Sequence, residues 1–225
     1  GFTLTSADSG VTILGAPTQD TVFTSAVAIA AGAGGTLQRL RFDGGVQIDG
    51  ATGLTLVDNE MRVNAVTVSG ASDVRVAHNR FIAGSMLHLA GAASGLVAHN
   101  VLAGGTIGLR IDAAFTGEIR GNDVRNNQIG VRYGAAAELI ANRIHDNTTG
   151  VLSTVSGASA LGFVGAATPN EISGNGTGIE LVNARVRNQH IRDNTTGVRG
   201  SGVLGGDELE SANRIEDNGT GVSGF

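Results

Sequence analysis

Short segments in which apolar and polar residues alternate recur along the chain, and turn-forming residues separate them. The clearest repeat reads Asn-x-Ile-x-x-Asn-x-x-Gly-Val, or a close variant, at residues 122–131, 142–151, 170–179, 189–198 and 213–222. Alternation with a period of two is typical of strands that bury one face, and Gly, Asn, Asp and Ser favour tight turns. The pattern therefore predicts short strands joined by turns, without helices between them.

Apolar residues fall at three equivalent positions in each unit, so each unit is predicted to hold three strands. Two of these positions form clear single-residue columns. The column before the leading Asn comprises Leu56, Val76, Val97, Ile119, Leu139 and Val186. The column inside the repeat comprises Met61, Phe81, Leu102, Val124, Ile144, Ile172, Ile191 and Ile215. Equivalent positions lie about 20 residues apart, and a chain that coils at this step stacks its strands in parallel around one core. We expect an all-β solenoid of about ten coils.

The repeat resembles that of right-handed parallel β-helix proteins, the pectate-lyase-like superfold. The resemblance covers residues 37–225 well and residues 1–36 weakly. It implies one right-handed β-helix domain that spans the whole chain, residues 1–225. It does not imply a particular function, because lyases, hydrolases, epimerases, phage tailspikes and surface adhesins share this fold.

Two steps between coils are longer than the others, at residues 153–169 and 201–211. Both segments are rich in Gly, Ser and Ala, and we expect them to be loops that leave the coil. The chain begins and ends within the repeat pattern, which favours a segment of a longer protein.

Composition narrows the classes of function. The net charge of −5 gives no electrostatic basis for binding nucleic acid. No apolar run reaches the length of a membrane span, and the absence of Cys excludes disulfides and thiol chemistry. We expect no cofactor and an extracellular or cell-surface location in a bacterium, and the oligomeric state stays open.

Three consecutive coils present His88, Arg110 and Arg132 at one position of the strand that follows the repeat Gly. Alternation directs all three side chains away from the core. Like charges on neighbouring strands need compensation, either from an acidic neighbour or from an anionic ligand. These residues are the candidate binding site for an acidic polysaccharide or cell-surface glycan, and a solvated charged face is the alternative.

Asp58, His78 and His99 occupy the position before the leading Asn on three successive coils. A carboxylate beside two imidazoles has the groups for acid–base chemistry or for holding a divalent metal ion. No nucleophile accompanies them, so exposed turn residues are the competing interpretation.

A weaker candidate for binding a cation is the acidic segment that contains Asp207, Glu208 and Glu210.

The second Asn of the repeat forms another column, whose members include Asn147, Asn175, Asn194 and Asn218. Each of these four begins an Asn-x-Thr sequence, the acceptor for N-glycosylation. Stacked Asn side chains also form hydrogen-bonded ladders along a solenoid axis. We favour the ladder, because the repeat itself generates the acceptor sequences.

The interpretation that follows is a structural or binding rod of a secreted or cell-surface bacterial protein. The alternative is a carbohydrate-active enzyme, a lyase, hydrolase or epimerase, with catalytic residues partly outside this segment. Motifs of polygalacturonases, pectate lyases and alginate epimerases are absent, and only 4% of residues are aromatic. Sugar-binding sites commonly use aromatic side chains as platforms, so the composition favours the rod.

Overall fold

The computed structural model describes residues 1–16, 20–155, 161, 168–205 and 212–225, which form a stack of coils. The chain passes in turn through three sheets, named here A, B and C, and strands of neighbouring coils pair in parallel. Sheet B has seven strands, all from the first coils, whereas sheets A and C have eleven and ten. The predicted right-handed parallel β-helix of about ten coils is confirmed.

The strands of the described segments follow the coil order. Sheet A contains β1 (Thr3–Leu4), β4 (Val27–Ile29), β7 (Val46–Asp49), β10 (Val66–Ser69), β13 (Leu87–Leu89), β16 (Ile107–Ile111), β19 (Ile129–Tyr133), β22 (Thr149–Ser153), β24 (Thr177–Val186), β26 (Thr196–Leu204) and β28 (Thr220–Ser223). Sheet B contains β2 (Val11–Leu14), β5 (Gly35–Gln38), β8 (Leu54–Val57), β11 (Val74–Ala77), β14 (Ala93–Ala98), β17 (Phe115–Arg120) and β20 (Ala137–Ile140). Sheet C contains β3 (Val22–Phe23), β6 (Arg41–Phe42), β9 (Glu60–Arg62), β12 (Arg80–Ile82), β15 (Val101–Ala103), β18 (Asp123–Arg125), β21 (Arg143–His145), β23 (Asn170–Ser173), β25 (Gln189–Arg192) and β27 (Arg214–Glu216).

Helical structure in these same segments is confined to a short 3₁₀ turn at Ser6–Asp8. It does not provide a helix with the length and hydrophobicity that crossing a membrane requires.

The predicted apolar columns fill the core. In sheet B, Leu56, Val76, Val97 and Ile119 have no exposed surface, and Leu139 is 3% exposed. In sheet C, Ile172 and Ile191 are fully buried, while Ile215 in the last coil is only partly buried and packs against the core. Both columns therefore lie inside the solenoid, as the alternating pattern predicted.

Asn side chains line two of the three corners as continuous ladders. Asn147 is representative: its Nδ2 donates to the carbonyl oxygens of Val124 and His145 and to Oδ1 of Asn175, at 2.9–3.1 Å. Its Oδ1 accepts hydrogen bonds from the backbone N–H and the side-chain amide of Asn127 in the preceding coil. The ladder between sheets C and A comprises Asn127, Asn147, Asn175, Asn194 and Asn218.

The ladder between sheets B and C comprises Asn59, Asn79, Asn100, Asn122, Asn142, Asn170, Gln189 and Asn213. In the first ladder, Asn147, Asn175 and Asn194 are 4%, 2% and 3% exposed, and their amides are fully engaged. The amide ladder is confirmed, and these three side chains are inaccessible to glycosylation in the folded chain.

The structure shows only part of the two long steps. Ser153 still belongs to β22, and Leu161 is 1% exposed and forms a bridge with Val186. Strand β26 continues to Leu204, so the start of the second step is strand rather than loop. Both steps lie between a strand of sheet A and a strand of sheet C. Residues 156–160, 162–167 and 206–211 lie outside the described residues, and the loop assignment stays a prediction there.

We predict that Ile172→Ala lowers the free energy of unfolding by roughly 2–5 kcal/mol, because it leaves a cavity in the core. Urea denaturation followed by circular dichroism measures the loss. Ile140→Ala is the matched control: Ile140 faces outward from sheet B, is only partly buried, and should cost clearly less. A loss below about 1 kcal/mol at Ile172 would show that the core does not depend on this column.

We predict that Asn147→Ala lowers the free energy of unfolding by at least about 2 kcal/mol, because it leaves buried backbone groups of two coils without partners. Asn218→Ala is the control, since Asn218 ends the ladder and is only partly buried. Its loss should be smaller in the same denaturation experiment. Equal losses would mean that the ladder does not act as a continuous network.

Candidate functional site

The three basic side chains predicted on sheet A, His88, Arg110 and Arg132, lie side by side on the outer face. Strand pairing places His88 beside Arg110, and Arg110 beside Arg132. All three converge on Asp112, which directly follows β16. The distances to its carboxylate oxygens are 3.1 Å from His88 Nε2, 2.6 Å from the Arg110 guanidinium and 3.7 Å from Arg132 Nη1.

Asp112 is the acidic neighbour of this candidate site that the sequence analysis did not name. Alternation along β16 buries Leu109 and Ile111, so the next outward position after Arg110 is Asp112. That signal was present in the sequence. The chain itself thus supplies one carboxylate to the two guanidinium groups and the imidazole.

These contacts shift the pKa of the Asp112 carboxyl group. Partial burial raises the pKa of Asp112, but hydrogen bonds from His88 and Arg110 and the charges of Arg110 and Arg132 lower it by more. The pKa of Asp112 therefore lies below the usual aspartate value. The carboxylate stays ionised near neutral pH and balances one of the two guanidinium charges.

The second candidate cluster lies at the corner between sheets B and C. Asp58, His78 and His99 each adopt left-handed backbone conformations, with φ of 56°, 56° and 55°. The tight corner requires this conformation, which Asp, Asn and His tolerate better than most residues. All three side chains are exposed, and Asp58 Oδ2 accepts a hydrogen bond of 3.0 Å from Gln38 Nε2.

The rings of His78 and His99 stack on each other. Their centroids are 5.3 Å apart and their planes differ by 19°. Neither ring forms a hydrogen bond within the described part of the chain. The corner geometry explains why these residue types occur there, and it brings the two imidazoles into contact.

A groove of about 790 Å³ runs beside this corner. Asp58 and His78 line it together with side chains from sheet C, including Glu60, Arg62 and Arg80. Glu60 pairs with Arg62 at 2.5 Å and with Arg80 at 3.6 Å, so the opposite charges of the wall largely neutralise one another. Among the described residues that line the groove, no nucleophile is hydrogen-bonded to a base, and a catalytic role for Asp58, His78 and His99 stays a prediction.

The remaining histidines are engaged with carboxylates. His145 has only 11% of its side chain exposed, and its Nε2 and Nδ1 lie 2.7 Å from Asp123 Oδ1 and from Asp146 Oδ2. The two carboxylates contact opposite nitrogens of the ring, so the three groups do not converge on one point. His190 Nε2 lies 2.8 Å from Glu216 Oε1, and this contact is the largest cause of the lowered pKa of Glu216.

The third candidate, the acidic segment with Asp207, Glu208 and Glu210, lies outside the described residues. Its cation binding stays a prediction.

Residues 18–224 match the family model described as "Periplasmic copper-binding protein (NosD)". The chain belongs to this family. No curated protein and no solved structure matches the chain. The family is one of right-handed β-helices, which agrees with the fold, and its description is consistent with a location in the bacterial envelope.

The family description names copper, and the side chains of this chain fit that metal only in part. The chain has no Cys, and of its two Met residues Met61 is 1% exposed in the core. The described residues hold no group of three His, Cys, Asp or Glu side chains arranged to bind one metal ion. A closed copper site is therefore absent from this part of the chain, whereas His78 and His99 provide two adjacent imidazoles without other partners.

We predict that Asp112→Asn makes the stability of the chain less dependent on pH. Because the folded-state pKa of Asp112 is lowered, its carboxylate stabilises the fold above the unfolded value of about 3.9. This contribution is lost as the pH falls through the folded-state pKa. Urea denaturation at neutral and acidic pH should show a deficit in the variant that disappears in acid.

Asp73→Asn is the control, because Asp73 is exposed and forms no ion pair within the described segments. A deficit in Asp112→Asn that does not change with pH would contradict the prediction, and so would the same behaviour in both variants.

Proposed function

We propose that the chain is a rigid binding rod of the bacterial envelope that contacts acidic polysaccharide through the outer face of sheet A. The described coils share one continuous core, and two amide ladders fix their stacking. A solenoid built in this way resists bending and presents its outer side chains at a regular spacing of about 4.8 Å. These properties suit a spacer or scaffold.

The arrangement around Asp112 is the observation that supports an acidic polysaccharide as the ligand. His88, Arg110 and Arg132 already bind one carboxylate, so their positions are compatible with carboxylate recognition. Each guanidinium has five N–H donors, more than Asp112 occupies. A uronate carboxylate would compete with Asp112 or bind beside it, and the affinity for each sugar residue would be low.

Copper is a second candidate ligand. The family description names it, and the two stacked imidazoles of His78 and His99 are groups that copper accepts. Because the rings are stacked in nearly parallel planes, their nitrogens do not converge on one ion, so each imidazole would bind copper singly and weakly. The polysaccharide proposal concerns the outer face of sheet A and the copper proposal concerns the corner between sheets B and C, so either can hold without the other.

The polysaccharide proposal predicts opposite effects of two changes at one site. Arg110→Ala with Arg132→Ala should weaken binding to polygalacturonate at least about tenfold, because charge-assisted hydrogen bonds are lost. Asp112→Asn should strengthen binding, because it removes the competing carboxylate. Calorimetry at low ionic strength measures both effects. Added salt should weaken binding of polygalacturonate to the parent chain, because the Debye length falls to about 8 Å at physiological ionic strength.

Arg75→Ala is the matched control, because Arg75 is exposed on sheet B and forms no ion pair in the described ranges. It should leave binding unchanged, and dextran should serve as the uncharged polymer. If Asp112→Asn and the double Arg variant both bind like the parent, the residues around Asp112 are an ion-pair network only, and the rod has no polysaccharide site there.

A further inference from the structure

The outer face of sheet C carries its charges in a regular order. The three-residue strands of this sheet point two side chains outward, one on each side of a residue that faces the core. In β9, β18 and β27 the two outward side chains have opposite charges and pair within the strand at 2.5–3.0 Å. These pairs are Glu60 with Arg62, Asp123 with Arg125, and Arg214 with Glu216.

The ionic pattern is interrupted in the middle of the face. Strands β12 and β15 present the half-buried apolar side chains of Ile82, Val101 and Ala103. Val63, which directly follows Arg62 at the neighbouring corner, is 62% exposed and has a φ of 69°, a conformation that β-branched residues rarely adopt. An apolar patch with a charged rim is typical of a protein–protein interface.

The order of charges indicates how a second copy of the chain can lie on this face. A two-fold axis parallel to the solenoid axis places the first outward position of each strand opposite the second outward position of the same strand in the other copy. Glu60 then faces Arg62, and Val101 faces Ala103. The strands β18 and β27 are self-complementary in the same way.

The opposite orientation brings like charges together. A two-fold axis along the strands, centred between β12 and β15, would reverse the order of the coils and place β9 opposite β18. Glu60 would then face Asp123, and Arg62 would face Arg125. Juxtaposed like charges are costly in an interface, so charge complementarity favours two copies that run in the same direction.

We propose that the outer face of sheet C is the interface of a parallel homodimer, with Ile82, Val101 and Ala103 at its centre. The ten strands of the sheet, at about 4.8 Å each, give a face roughly 45 Å long. Both copies keep their sheet A faces uncovered and at the same height. The dimer would therefore offer two equivalent faces to one polymer and raise its avidity, although the interface itself does not depend on polysaccharide binding.

Analytical ultracentrifugation of the full chain over a range of concentrations tests the interface. We expect a monomer–dimer equilibrium in the parent, and Val101→Glu should weaken the dimer at least about tenfold, because it places a charge in the apolar centre. Leu96→Glu is the matched control, since Leu96 is also half-buried and apolar but lies on sheet B, on the strand that precedes β15. It should leave the dissociation constant unchanged, and circular dichroism establishes that both variants remain folded.

Charge reversal tests the orientation. Arg62→Glu should weaken the dimer, because the new carboxylate faces Glu60 of the other copy, and adding Glu60→Arg should restore it. The restored dimer also shows that the single change did not act by unfolding the chain. A parent that stays monomeric, or a dimer that Val101→Glu leaves intact, would overturn the interface. A dimer that Arg62→Glu strengthens would overturn the parallel orientation, since the antiparallel copy places Arg125 at this position.

Discussion

The structure depends on the hydrogen bonding of buried backbone groups at the corners of each coil. A chain that turns three times per coil leaves N–H and C=O groups inside the corners, where water does not reach, and each must find a partner. The two Asn ladders provide those partners: Asn142, for example, donates to the carbonyl of Ile119 and accepts from the backbone N–H of Asn122. Because each amide bridges consecutive coils, the ladders also set the vertical register and hence which residues face the core.

The outer surface follows from the same register. Once equivalent positions stack, charged residues meet the same neighbours on coil after coil, and most of them find an opposite charge. Glu171 pairs with Arg192 at 2.6 Å across two coils, and Arg199 pairs with Glu180 at 2.7 Å. Exposed pairs of this kind contribute little stability. The ion pairs mainly affect ligand binding, because a charged group that is already paired has fewer free hydrogen-bonding positions for a ligand.

The binding groups that we propose are ones that keep capacity for a ligand within this network. On sheet A the surplus is one guanidinium charge around Asp112, and at the corner between sheets B and C it is the imidazoles of His78 and His99. Family membership supplies the periplasmic and copper-binding description, but the fold itself supports many activities. The two proposals follow from the side chains rather than from the fold, and they concern separate surfaces of one rod.

The repeat alone determined the architecture, because a period of two inside each strand and a near-constant step between coils leave one way to bury Leu56, Ile172 and their equivalents. It also determined the amide ladder between sheets C and A, since an Asn that recurs at the same corner of successive coils stacks on its counterparts. Only the tertiary structure decided the partners of His88, Arg110 and Arg132. Their column was readable from the sequence, but the convergence on Asp112 depends on side-chain conformations across three coils. Likewise, spacing placed Asp58, His78 and His99 in one column, whereas the left-handed corner backbone decided that the two rings stack and stay free of other partners.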